Sequence, residues 1–77
     1  MTVTVYTTQT CPWCQVVKQY LKKNGVSFIE KDVSRDQAAA HEMVRKSGQM
    51  GVPVIDANGQ IVVGFNEEVL RQILVNA

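Results

Sequence analysis

The spacing of apolar residues changes several times along the chain, and each change marks an element. Residues 2–7 set Val3, Val5 and Tyr6 among threonines, a β-branched run that predicts a strand ending shortly before position 11. From position 12 the apolar residues are Trp13, Val16, Val17, Tyr20 and Leu21, while Gln15, Lys18, Gln19, Lys22 and Lys23 fill the remaining places. That is the period of a helix. Pro12 suits its first turn, where a missing N–H costs nothing, and Lys22, Lys23, Asn24 and Gly25 supply a cationic last turn and a stop. The helix therefore begins at or beside Cys11.

Residues 26–33 predict a second strand. Ser34-Arg35-Asp36-Gln37 then matches a capping box, with Ser34 as the cap and Gln37 three residues on. The helix it opens should run to about Ser47, with Ala39, Ala40, Met43 and Val44 as its apolar stripe and Gly48 as its end. Val52-Pro53-Val54-Ile55, Asn58-Gly59 and Ile61-Val62-Val63 together make a hairpin signal. Asn66 caps a last helix with Glu67 and Glu68 in its first turn and Val69, Leu70, Ile73 and Leu74 on one face. The order is βαβαββα. A strand, helix and strand imply a right-handed parallel crossover, and the hairpin adds antiparallel strands. The expected fold is α/β, a four-stranded mixed sheet with three helices divided between its faces.

Length and charge narrow the setting. Seventy-seven residues suit one domain with a thin core. The formal net charge is +1 and the basic residues are scattered, which gives no footprint for nucleic acid or a membrane surface. No basic leader precedes an apolar core, and no run approaches the roughly 18 apolar residues of a membrane span, so a cytoplasmic protein is expected. In a reducing compartment a cysteine pair points to redox or metal chemistry more than to a structural bridge. A disulfide from Cys11 to Cys14 would close so short a loop that chain entropy credits it with only about 2 kcal/mol.

The two cysteines, at positions 11 and 14, are therefore the candidate chemistry. A thiolate attacks a disulfide through a mixed-disulfide intermediate, and a second thiol nearby can resolve it. At the start of a helix, Cys11 meets unpaired N–H groups and the positive end of the macrodipole, both of which favour a thiolate, so Cys11 is read as the nucleophile. Cys14, one turn inside and more covered, is the resolving thiol. A structural zinc site needs four ligands, and beyond these cysteines the chain offers only His41, which is read as lying on a solvated helix face. No metal ligand is assigned. Trp13 is read equally as core or as a ring presented to partners, and Phe65 as core in preference to rim. Pro53 opens an apolar strand, where bare sequence favours an ordinary trans proline.

Three motifs in order, Val5-Tyr6-Thr7 leading into Cys11-Pro12-Trp13-Cys14, then Ser47-Gly48-Gln49-Met50-Gly51-Val52-Pro53, then Gly64-Phe65-Asn66-Glu67, resemble the thioredoxin fold in its smallest form. The chain is similar over essentially its whole length to the glutaredoxins and the glutaredoxin-like redoxins of bacteria. The resemblance implies a dithiol oxidoreductase acting on protein disulfides or glutathione mixed disulfides, with Cys11 attacking, Cys14 resolving and a cis Pro53 beside them. It implies substrate contacts at Pro12, Trp13, Gln49, Val52, Pro53, Gly64, Phe65 and Asn66, with the backbone of Val52 pairing the substrate like an added strand. No bound cofactor and a monomer are expected, with glutathione or thioredoxin reductase as the reductant.

Departures from the family concern that reductant. Glutathione-using members usually carry a lysine where Thr8 stands, a threonine where Gly51 stands, and paired glycines where Val63 and Gly64 stand, before an acidic pair that is here Asn66 and Glu67. Gly64-Phe65 is instead shared with redoxins that are reduced by thioredoxin reductase and serve ribonucleotide reductase, but those redoxins usually keep the lysine that Thr8 replaces and differ from Pro12-Trp13 between the cysteines. The chain combines traits of both groups. Two further alternatives are a cluster-binding dimer that uses Cys11 with glutathione supplying further thiols, and an interaction domain whose cysteines are incidental.

Overall fold

The computed structural model describes residues 2–75. Among them the elements are β1 (Val3–Thr7), α1 (Pro12–Lys23), β2 (Ile29–Asp32), α2 (Gln37–Ser47), β3 (Val54–Ala57), β4 (Gln60–Val63) and α3 (Glu67–Val75), the βαβαββα order that apolar spacing predicts. The sheet runs β2-β1-β3-β4. β1 pairs parallel with β2 and antiparallel with β3, and β3 pairs antiparallel with β4. The hairpin joining β3 to β4 needs left-handed backbone at both central residues. Asn58 (φ 54°) and Gly59 (φ 94°) adopt it, and Asp56 Oδ1 accepts from Gly59 N–H at 2.8 Å.

Alternation along β1 divides the interior. Val3 and Val5 join Val17 and Leu21 of α1, Ile55, Ala57 and Val62 of the hairpin, and Leu70 and Ile73 of α3 in the larger buried cluster. Tyr6 points the other way and packs with Met43 of α2 and Val54. Helices α1 and α3 thus cover one face and α2 the other. At the end of α1, Gly25 N–H bonds Lys22 C=O and Val26 N–H bonds Leu21 C=O, a Schellman arrangement that turns the chain towards β2.

Three sequence expectations are corrected. Asp36, not Ser34, caps α2: its carboxylate accepts from Ala39 N–H at 3.0 Å, while Ser34 is held in the preceding turn by Asp32. The second strand is shorter than residues 26–33, because Val26 and Phe28 pack against the core before ladder pairing starts at Ile29. The apolar stripe of α2 is also narrower than expected, with Ala39 and Met43 buried but Val44 38% exposed.

Polar contacts take over where that stripe falls short. The ring of Tyr6 is fully buried, and its hydroxyl donates to Glu42 of α2. Lys46 Nζ donates to Tyr6 Oη at 3.2 Å and to Asp56 of β3 at 2.7 Å, and Lys31 of β2 pairs with Glu42 at 2.9 Å. Both ammonium groups lie within 6 Å of the ring centroid, at 5.7 Å for Lys46 and 5.8 Å for Lys31, so they also favour its π face. This network ties α2 to three strands.

Hydrogen bonds from Tyr6 and then Lys31 push the Glu42 carboxyl down from 4.5 to about 2. A carboxyl depressed by folding contributes stability that is complete above its unfolded value and is lost as pH falls through the folded one. Part of the acid destabilisation should therefore fall between 4.5 and about 2. Urea unfolding across that window should show Glu42→Gln less sensitive to acid than the parent chain. Identical acid slopes for the two proteins would contradict the assignment.

Candidate active site

Cys11 is the N-cap of α1, with extended backbone (φ −90°, ψ 110°), and Gln15 N–H bonds its carbonyl at 3.3 Å. Its Sγ accepts from Cys14 N–H at 3.2 Å, so a sulfur occupies the position that a hydroxyl or carboxylate oxygen takes in an ordinary cap. In that position the sulfur faces the N-terminal end of α1 and its backbone N–H groups. Pro12 follows at the first helical position, exposed and without an N–H to leave unpaired.

One turn in, Cys14 is fully buried. Burial, followed by its hydrogen bond with Cys11, pushes its thiol up from 9.0 to about 11. Cys11 keeps partial exposure, and both thiols are free. The two cysteines therefore differ in access, and burial makes an anion costly at Cys14.

The facing wall comes from the loop before β3. The Val52–Pro53 peptide is cis, against the trans bond that bare sequence favours and as the family resemblance implies. Val52 C=O lies 3.9 Å from Cys11 Sγ. Gly64, left-handed at φ 75°, donates its N–H to Pro53 C=O at 2.8 Å and so fastens the approach to α3 onto this loop.

Trp13, Val52, Pro53, Gly64 and Phe65 line a cavity of about 240 Å³. Trp13 is 60% exposed, which resolves its two readings in favour of a presented ring. It stacks on Phe65 at 6.2 Å, and Phe65 meets Tyr20 edge-on at 5.7 Å. Phe65 packs on the larger core and lines the cavity, so it is core and rim together. A larger hollow of about 400 Å³, between the ends of α1 and α3, is lined by Tyr20, Arg71 and Leu74 among others and includes neither cysteine.

The remaining predicted residues divide by how their polar groups are used. Gln49 accepts from Gly51 N–H at 2.6 Å and donates to Gly51 C=O at 3.0 Å, so its amide shapes the loop that carries Val52. Asn66 Oδ1 accepts from Val69 N–H at 3.2 Å, the expected cap of α3. His41 is exposed on α2, and the described residues contain no group of three or more His, Cys, Asp or Glu able to hold a metal ion.

Sequence reasoning missed a second polar group. Lys18 Nζ lies 2.7 Å from Glu30 Oε2, which also accepts from Thr7 Oγ1 at 3.0 Å. The four-residue step from Cys14 to Lys18 was legible as one helix face, but the partners on β2 and β1 were not.

A family model described as Glutaredoxin matches residues 3–62. The chain is 40% identical over 72 residues to an uncharacterized glutaredoxin-like 8.6 kDa protein in the rubredoxin operon of Clostridium pasteurianum, covering 94% of this chain and 96% of that one. It is 37% identical over 65 residues to glutaredoxin 3 of Escherichia coli K12, covering 84% and 78%. Among solved structures, the glutaredoxin-like NrdH-redoxin of Escherichia coli, described as having a thioredoxin-like activity profile, superposes with a TM-score of 0.84 at 28% identity, covering 94% and 93%.

The asymmetry of the thiols predicts selective alkylation. With its thiol at about 11, Cys14 is ionised in only about one molecule in a thousand near pH 8, and it is buried besides. Brief iodoacetamide treatment of the reduced protein should label Cys11 and leave Cys14 unmodified, as read by peptide mass spectrometry. Equal labelling would refute the asymmetry.

Proposed function

The chain belongs to the glutaredoxin family, and on that footing we propose that it is a dithiol oxidoreductase that reduces protein disulfides through Cys11 and Cys14. The observation that carries this reading is the unequal pair: a partly exposed Cys11 sulfur at a helix N-cap, and a buried Cys14 whose backbone N–H reaches it at 3.2 Å. The Cys11 thiolate attacks one sulfur of a substrate disulfide, forms a mixed disulfide and expels the other sulfur as a thiolate that takes up a proton. Cys14 then loses its proton and attacks the Cys11 sulfur. The internal disulfide forms, the second substrate thiolate leaves, and two electrons have passed to the substrate.

The wall of Trp13, Val52, Pro53, Gly64 and Phe65 supports an extended polypeptide as substrate, since it offers apolar side-chain area beside the backbone of Val52. Glutathione as reductant would draw on Gly64 and on the Asn66 cap at the start of α3, a suitable seat for a carboxylate.

A second reading of the reductant has its own support. No cationic side chain lines this cavity, and Thr8 stands where both groups of relatives usually carry a lysine. A lost charge-assisted contact, about 1.5–3 kcal/mol, weakens glutathione binding roughly tenfold or more. Likeness to a redoxin of thioredoxin-like profile fits reduction by thioredoxin reductase, with ribonucleotide reductase as the downstream partner.

Cys11→Ser should lower disulfide reductase activity by at least about 100-fold, because a hydroxyl is a far poorer nucleophile near neutral pH. Cys14→Ser should still attack and should accumulate mixed disulfides visible by intact mass. Full activity in the first variant, or no adduct in the second, would overturn the mechanism. To choose the reductant, oxidised protein is supplied either with glutathione and its reductase or with thioredoxin reductase, and NADPH consumption is followed. The cation-free wall predicts a faster thioredoxin reductase arm, and a faster glutathione arm would restore glutathione as donor.

A further inference from the structure

The resolving step needs an anion at the least favourable place in the site. Cys14 is fully buried, and in the free dithiol the Cys11 sulfur beside it opposes a second negative charge. Once Cys11 is bonded to substrate that opposition is gone, yet burial remains. A carrier of positive charge close to Cys14 would lower the cost.

Lys18 answers that need. It lies four residues after Cys14, on the same face of α1, and its side chain is only 14% exposed. A lysine on an ordinary helix surface samples many rotamers with its ammonium in water. Here the head is held at 2.7 Å by Glu30 Oε2, and that oxygen is fixed in turn by the hydroxyl of Thr7, itself buried at the end of β1. Register reinforces the arrangement, because Glu30 on β2 is paired with Val5, two residues before Thr7 on β1.

We propose that the Lys18–Glu30 pair positions charge for the resolving step: the Lys18 ammonium stabilises the Cys14 thiolate as it forms, and Glu30 limits how much of that charge reaches the sulfur. The inference rests on the dithiol reading above. The charged groups that bear on Cys14 are Cys11 and Lys18, both of α1, with Lys18 favouring ionisation. Glu30 acts on Lys18 from β2, and Lys22, a further turn along α1, acts on Glu30. Thr7 contributes a neutral hydroxyl that orients the carboxylate. In the step itself Cys14 gives its proton to solvent, its sulfur bonds to Cys11, the bond from Cys11 to substrate breaks, and the departing thiolate takes up a proton.

This division of labour gives the two partners opposite signs. Losing Lys18 makes the Cys14 thiolate scarcer, whereas neutralising Glu30 leaves the ammonium uncompensated and makes that thiolate more abundant. A purely structural ion pair would respond alike to loss of either partner.

The test uses a single turnover of the reduced full chain with a chromogenic nitrobenzoate disulfide, which releases one coloured thiolate on attack by Cys11 and a second on resolution by Cys14. In Lys18→Gln the second phase should slow about threefold near pH 7, since a more basic Cys14 supplies less thiolate while its greater nucleophilicity regains part of the rate. The pH midpoint of that phase should move up, Lys18→Arg should restore it, and the first phase should stay within about twofold. In Glu30→Gln the second phase should speed up and its midpoint move down. An unchanged second phase in Lys18→Gln, or slowing in both neutral variants, would overturn the proposal. A parent protein that releases colour only once, with no internal disulfide by mass, would instead overturn the dithiol reading and this inference with it.

Discussion

The pairing of β1 with β3 is the constraint on which the rest of the molecule depends. Because the strands run antiparallel with Tyr6 opposite Val54, the end of β1 lies beside the start of β3. The loop leading to Cys11 and the cis Val52–Pro53 peptide therefore meet at one end of the sheet's two central strands, and the Cys11 sulfur comes to 3.9 Å from Val52 C=O. β4 extends the same logic: Val54 pairs with Val63, so Gly64 arrives next to Pro53 and bonds its carbonyl at 2.8 Å. Segments more than fifty positions apart in sequence are brought together by two registers. A slip of one residue in β1 would turn Tyr6 into the face that holds Val3 and Val5 and would dismantle the site along with the core.

The two faces of that sheet are stabilised by different physics. Under α1 and α3 the contacts are apolar, from Val3, Val5, Val17, Leu21, Leu70 and Ile73, and shape complementarity decides what fits. Under α2 the apolar patch reduces to Tyr6, Met43 and Val54, and hydrogen bonds to the tyrosine hydroxyl continue where carbon stops. Removing one member of such a network leaves its partners unsatisfied, a larger penalty than the net value of any single bond. Among the described residues no buried side-chain N or O atom lacks a partner, which is the condition under which a small core can carry this much polarity.

Much of this was legible in the chain because the signals are local. Helical periodicity after Pro12, the Asn58-Gly59 turn and the Asn66 cap each depend on residues within a few positions, and each is realised. The error at Ser34 has a local cause too. Two residues with capping side chains stand close together, Asp32 engages the first in a turn, and Asp36 is left to cap the helix. What escaped reading joins distant elements. Tyr6 looks like one more apolar residue of a strand until Glu42 and Lys46 are seen at its hydroxyl. Lys18 looks like a solvated residue until Glu30 and Thr7 close around it. Trp13 could not be assigned without Phe65, which reaches it from the far end of the chain.

The chemistry follows from asking one helix to present two thiols in unlike surroundings. A cap residue lies outside the helical hydrogen-bond ladder and can receive an N–H on its side chain, which is the relation of Cys14 N–H to Cys11 Sγ at 3.2 Å. Three residues later the side chain has turned inward, and Cys14 is shut against the core. A further turn brings Lys18, whose head is drawn down to β2 instead of out to water. Partly exposed sulfur, buried sulfur and restrained cation thus follow one another along a single face of α1, in the order in which attack, resolution and charge stabilisation would call on them. Shifting any of the three by one position would rotate it about 100° away from the others, so the spacing C-x-x-C-x-x-x-K joins the sequence to the order of the chemical steps.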